Sequence, residues 1–225
     1  MTGADTIYLV EVGSERAGEG ERNTVGGWPV LDAGLAWPVC DCGERMVLFF
    51  QVDVPADIAV FGGDHLLVFQ CPRHNDACFP PSSRRLPEGF WDAPPDNDMR
   101  FWQILLHRGN IRAAEADAYL RPRRLILTRA EERIDEHGRG RPGFKLGGVP
   151  AWAQDPEHYI CGCGAALAQV CQVPEDFGFD KRPERPSQPY TFHDDQYGLF
   201  LGNEVYIVAC PEHCNAAAAW PIAQN

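Results

Sequence analysis

The stretch CDCG at residues 40–43 returns as CGCG at residues 161–164, 121 positions later. Upstream, Gly26-Gly27-Trp28-Pro29 returns as Gly147-Gly148-Val149-Pro150, and downstream Gln51-Val52 returns as Gln172-Val173, all at that same offset. Further on the offset grows to 139, where Phe61-x-Gly63 and Cys71-Pro72-x-His74 meet Phe200-x-Gly202 and Cys210-Pro211-x-His213. An insertion of 18 residues in the second copy accounts for the change. Self-similarity of this kind sets the architecture before any single element is read. It implies two diverged copies of one unit.

Strand signals recur at matching places. MVLFFQV (46–52) and HLLVFQ (65–70) are short apolar runs rich in β-formers, and ALAQVCQV (166–173) and EVYIVA (204–209) are their counterparts. Before each Gly-Gly-x-Pro comes a strand with a charged end, IYLVEVGSER in the first copy and RLILTRAEER in the second. Gly-Gly-x-Pro is a turn signal, glycine supplying positive φ and proline removing a donor, and it is expected to bring the chain into the sheet at an edge. MRFWQILLHRG (99–109) reads as one more strand, and NIRAAEADAYL (110–120), with its capping asparagine and alanines, as a short helix. Segments 79–98 and 174–198, heavy in proline, aspartate and aromatic residues, read as loops.

The fold expected is therefore mainly β, a β-rich α+β chain built by internal duplication of a short-strand antiparallel sheet unit, with one short helix between the copies. The first unit spans 1–98, the connecting strand and helix 99–120 and the second unit 121–225, joined in one compact pseudo-two-fold structure.

Eight of the nine cysteines fall into two matched sets, Cys40, Cys42, Cys71 and Cys78, then Cys161, Cys163, Cys210 and Cys214. In each set a pair from a Gly-containing turn precedes the first strand of a hairpin, and a second pair lies in the turn after the second strand. Antiparallel neighbours bring those two ends together. Four thiolates suit a closed, tetrahedral, structural Zn2+, so two zinc knuckles are expected. The fourth ligand stays open. Cysteine is favoured because both turns supply one, yet Cys71-x2-His74 and Cys210-x2-His213 allow His74 or His213 instead. Cys171 aligns with Phe50 and reads as core.

Net charge is −12, and residues 1–110 hold 16 acidic against 8 basic side chains. Such a chain repels nucleic acid and anionic membrane and favours a basic partner. No run approaches the ~18 apolar residues of a membrane span, and the start MTGADTIYLVEVG lacks the pattern of a signal peptide. The expected setting is a reducing cytoplasm, where nine cysteines do not read as a disulfide framework. His193-Asp194-Asp195 and Asp155-x-Glu157-His158 place acids beside histidine, but on loops and without a nucleophile. Arg121, Arg123 and Arg124 form a small basic cluster expected at the end of the helix.

Tandem copies of strand, Gly-Gly-x-Pro, Cys-x-Cys-Gly and a Gln-Val strand, followed by VFQC (68–71) or IVAC (207–210), resemble the YwqG-like proteins of bacteria. They also resemble the eukaryotic programmed cell death protein 2 family, to which LGGVPAW (146–152) is the nearest single match. The resemblance covers roughly residues 6–215 apart from the inserts. It implies a duplicated, mostly β fold. For the eukaryotic relatives it implies an escort of a newly made, basic ribosomal protein, and some bacterial members sit in toxin–immunity loci. The central zinc-binding insert that some eukaryotic relatives carry is absent here.

The functional expectation is a non-enzymatic, zinc-stabilised, acidic protein-binding module that captures a basic protein, as an immunity protein or escort chaperone does. Two rivals stand beside it: a hydrolase-like enzyme with a site between the copies, using His158, His193 and Asp195, and a thiol-based redox-responsive regulator.

Overall fold

In the computed structural model the described residues are 5–78, 83–92, 100–191 and 193–225. Residues 1–4, 79–82 and 93–99, which carry parts of the N-terminal and loop readings, lie outside them, as does residue 192. The first half supplies β1 (Asp5–Arg16), β2 (Thr24–Val25), β3 (Val30–Leu31), β4 (Val47–Asp53), β5 (His65–Gln70), β6 (Trp102–His107) and β7 (Ile111–Arg112). The second half supplies β8 (Arg123–Glu132), β9 (Lys145–Leu146), β10 (Ala168–Val173), β11 (Phe179–Asp180), β12 (Gln196–Tyr197), β13 (Glu204–Ala209) and β14 (Ala219–Gln224). Among the described residues there is no α-helix, only a 3-10 turn at Phe200–Gly202.

Ten strands form one antiparallel sheet in the order β14-β13-β10-β9-β1-β8-β2-β4-β5-β6. The order is symmetric about the β1–β8 pair. Each half runs outward from a two-residue strand, and the first strand of each half sits in the other: β1 pairs with β9, and β8 with β2. The hydrogen bonds follow the same symmetry. Both hairpins carry an irregularity at corresponding places, between Leu48 and Phe50 and between Gln169 and Cys171. Gly26 N–H donates to Phe49 O and Gly147 N–H to Val170 O, again 121 residues apart.

The Gly-Gly-x-Pro turns need both glycines, because Gly26, Gly27, Gly147 and Gly148 all have φ between 54° and 84°. The expected edge entry is corrected: β2 and β9 lie inside the sheet. Proline does no harm there, since each strand ends before it. The paired glutamines explain their recurrence. Gln51 Oε1 accepts the Val30 N–H at 2.9 Å and Gln172 Oε1 the Ala151 N–H at 3.0 Å, so each glutamine anchors the residue after the proline.

The helix expected over 110–120 does not form, and the basic cluster beside it sits instead at the entry to β8, where Arg124 pairs with Glu15 at 2.7 Å. Isolated helices of this length are marginal in water. Here the backbone groups such a helix would pair internally are taken by the rest of the protein. Asp117, buried, accepts the N–H groups of Leu48, Tyr119 and Leu120 at 3.1, 2.9 and 2.7 Å. Arg182 reaches the carbonyls of Asp117 and Leu120, and Arg185 that of Ala118. Ile111–Arg112 pairs with β3 as a strand.

The core lies on the inner face of the curled sheet. Phe49 meets Phe179 edge to face at 5.2 Å and Phe50 meets Phe144 at 5.2 Å, so aromatic rings from both halves fill one interior. A buried ion pair braces the second Gly-Gly-x-Pro turn. Lys145 and Glu132, both at 0% side-chain exposure, form an ion pair, and Glu132 Oε2 also accepts the Val149 N–H of the second Gly-Gly-x-Pro turn at 2.7 Å. A Cβ on Gly148 would stand 2.2 Å from that carboxylate. Among the described residues no helix is long and apolar enough to cross a membrane.

Two stability outcomes are expected. Asp117→Ala strands three backbone donors and should lower the urea unfolding free energy by roughly 3 kcal/mol; a loss near zero would mean the loop repairs itself. His107 is 5% exposed, and burial followed by the charge of His65 pushes its pKa down to about 4. The unfolded chain, titrating near 6.5, takes up that proton first, so the stability is present above pH 6.5 and is lost as pH falls towards 4. Over that window wild-type stability should fall by up to about 3 kcal/mol more than that of His107→Asn; parallel profiles would exclude His107 as the group.

Candidate metal centres

Each centre is assembled from two turns that a hairpin brings together. In the first, Cys40 N–H donates to Glu44 O and Gly43 N–H to Cys40 O, both at 2.8 Å, with a bridge between Val39 and Arg45 closing the turn. In the second, Cys161 N–H donates to Ala165 O and Gly164 N–H to Cys161 O, also at 2.8 Å, with a bridge between Ile160 and Ala166. Gly43 at φ 84° and Gly164 at φ 99° allow the tight reversal that aims both sulfurs of a Cys-x-Cys one way. The pairing of β4 with β5 and of β10 with β13 then delivers Cys71 and Cys210 beside them.

The result is two groups of four donors: Cys40, Cys42, Cys71 and His74, and Cys161, Cys163, Cys210 and Cys214. Within each group the donor atoms lie within 4.8 Å of one another, so each could hold a metal ion. In the first, Cys42 Sγ is 3.6 Å from Cys71 Sγ, and His74 Nδ1 is 3.5 Å from Cys40 Sγ and 3.3 Å from Cys71 Sγ. In the second, Cys161 and Cys214 sulfurs are 3.5 Å apart, as are those of Cys163 and Cys210. All are free thiols rather than disulfides. Seven of the eight cysteines named from the sequence therefore fall in a cluster. Cys78 stands outside and packs, half-buried, against the hydrophobic core, while His74 takes the fourth place. The Cys71-Pro72-Arg73-His74 turn is short enough to fold its histidine back on its own first cysteine, whereas Cys78 is seven residues on.

The thiols are unequal. Burial pushes Cys71 up to about 12 and also raises Cys40, Cys210 and Cys214. Burial opposes ionisation of Cys42 and Cys161 as well, but hydrogen bonds outweigh it and lower both. For Cys42 these come from the Glu44 N–H, Cys40 and Cys71; for Cys161 from the Cys163 N–H, the Trp91 indole and Cys214. The thiolate is thus favoured at Cys42 and Cys161 and disfavoured at Cys40, Cys71, Cys210 and Cys214, so a metal bound at either cluster would displace protons from the raised thiols.

The second histidine does something else. His213 directs Nε2 to Asp64 Oδ2 at 2.6 Å and Nδ1 to Pro211 O at 3.0 Å, away from the cluster. Asp64 accepts Arg108 Nε on its other oxygen at 2.8 Å. Neither this triad nor the Trp91 Nε1–H to Cys161 Sγ bond at 3.2 Å was legible in the sequence, since both join residues far apart in the chain. The recurring Cys-Pro-x-His was the one available signal for His213.

The loop groups set aside for catalysis do not meet. His158 packs edge-on against Trp152 at 6.3 Å, and Glu157 binds Gln224 Nε2 and the Tyr159 hydroxyl. His193 lines a cavity of about 30 Å³ with Asn75, Asp176 and Thr191, room for about one water, and neither His158 nor Asp195 reaches it. Cys171 is fully buried on β10, as its alignment with Phe50 implies.

No family model matches the chain. No curated protein matches it either.

His74→Ala should remove one of two metal equivalents, whereas Cys78→Ser should keep both, read by elemental analysis and by the thiolate-to-metal absorption of cobalt-loaded protein. Loss of metal on Cys78→Ser with retention in His74→Ala would reverse the assignment of the fourth donor.

Proposed function

We propose that the chain is a non-enzymatic, zinc-stabilised module that binds a basic protein partner, in the manner of an immunity or escort protein. The observation that carries this reading is the pair of closed four-donor clusters at the ends of the two hairpins. A zinc tetrahedron with Zn–S near 2.3 Å has S···S edges of about 3.8 Å, and with Zn–N near 2.0 Å its S···N edges are about 3.5 Å. The separations of 3.5–3.6 Å and 3.3–3.5 Å match that scale. Four protein donors leave zinc no open position for substrate, so its work here is to hold turns in place.

The partner's character rests on charge. A net −12 steers a basic surface to the protein and resists association with nucleic acid. The two-half sheet offers a broad, repeated outer surface. A redox-responsive role is the second reading, favoured by the exposure of Cys42, Cys163 and Cys214.

Protein purified without added metal under reducing conditions should contain two zinc per chain, and chelation should lower its melting temperature; intact fold without metal would remove the zinc reading. Partner capture should weaken steeply as ionic strength rises, and a salt-independent complex would remove the electrostatic part. Zinc that stays bound under mild peroxide would exclude the redox role.

A further inference from the structure

The ten-stranded sheet curls until its end strands β6 and β14 come together. Leu106 N–H on β6 donates to Ala216 O at 2.8 Å, and Trp102 and Trp220 meet edge to face at 5.3 Å. No ladder joins the two strands. A set of hydrogen bonds around the second cluster joins the halves at this seam. Ala216 lies two residues past Cys214, in the same turn that carries His213.

His213 sits at φ 49°, a left-handed conformation that a non-glycine residue adopts at a cost, between the two ligands of its turn. Its Nε2–H donates to Asp64, whose side chain is 0% exposed, and Asp64 accepts Arg108 as well. Asp64 directly precedes β5 and Arg108 directly follows β6. One side chain from the second half's cysteine turn is thus hydrogen-bonded to a buried carboxylate of the first half, and through it to the end of β6.

The first half also closes over the same cluster from the other side. Trp91 donates to Cys161 Sγ, and Asn215 Nδ2 donates to Asp92 Oδ1 at 2.8 Å. Leu86 N–H donates to Ile160 O, and Ile160 N–H to Arg84 O. Contact is close enough that a Cβ on Gly162 would lie 2.4 Å from Pro87 O. Every one of these bonds starts or ends on a residue within the two turns that carry the four cysteines, or directly beside them, except the Asp64–Arg108 bond.

We propose that a metal ion held by Cys161, Cys163, Cys210 and Cys214 is the lock of the seam: it fixes the turn that presents His213 to Asp64, and its loss frees β6 from β14 while the ladders within each half persist. This rests on the metal-binding reading above. The Leu106 amide reports the seam directly, since its partner is Ala216 O.

The test is amide hydrogen exchange at Leu106, with metal content measured in parallel, for wild type, Cys163→Ser, Cys42→Ser and Asp64→Asn. Cys163→Ser should lose one metal and speed Leu106 exchange by roughly 10- to 100-fold, the scale of losing hydrogen bonds to a charged group. Cys42→Ser should lose the other metal and leave Leu106 protected. Asp64→Asn should keep both metals and still speed Leu106 exchange, which separates the clasp from any general loss of fold. Equal acceleration in both cysteine variants, or a protected Leu106 in Cys163→Ser or Asp64→Asn, would overturn the proposal. Wild type that carries no metal yet protects Leu106 would instead overturn the metal reading beneath it.

Discussion

Each half of the sheet is completed by a strand that belongs to the other. β1 and β8 pair along most of their length at the centre, with register running from Asp5 opposite Glu132 to Arg16 opposite Arg123, yet β1 continues into the second half and β8 into the first. Neither half can leave without tearing a ladder from its neighbour. Everything outward of this exchange follows from it: two hairpins on opposite wings, a cluster of cysteine-bearing turns at the end of each, and a single interior into which rings such as Phe50 and Phe179 are packed from both sides.

Such a ribbon at the centre needs its short neighbours held in place, because β2 and β9 contribute only two residues each. Buried side chains do this. Gln51 holds its Gly-Gly-x-Pro turn by bonds to Val30 N–H, Trp28 O and Thr24 Oγ1, and the second half adds the Lys145–Glu132 ion pair to Gln172. These groups are taken from water and are therefore tolerable only because each is paired in place. The same logic explains the missing helix: Asp117, Arg182 and Arg185 offered its backbone partners that outcompeted the helix's own.

The two centres share a plan and differ in use. At the first, the histidine of the Cys-Pro-x-His turn joins the donor set; at the second, a cysteine one residue further on takes that place and the histidine is released to reach Asp64. One added cysteine after the turn thus takes the histidine out of the donor group and makes it a tie between halves, while the sulfurs on either side keep nearly the same spacing.

Sequence alone placed the matching motifs, their common offset, the hairpins and the seven cysteines that fall in the two clusters, because these depend on residue type and local spacing: strand period, positive-φ glycine and thiolate pairs in turns. It could not choose between His74 and Cys78, foresee that segment 110–120 would form no helix, or pair Trp91 with Cys161 and His213 with Asp64. Those outcomes depend on which backbone donors and side chains arrive from the other half. That is a matter of how the strands exchange and the sheet curls, and no local spacing along the chain encodes the distance between residues 149 positions apart.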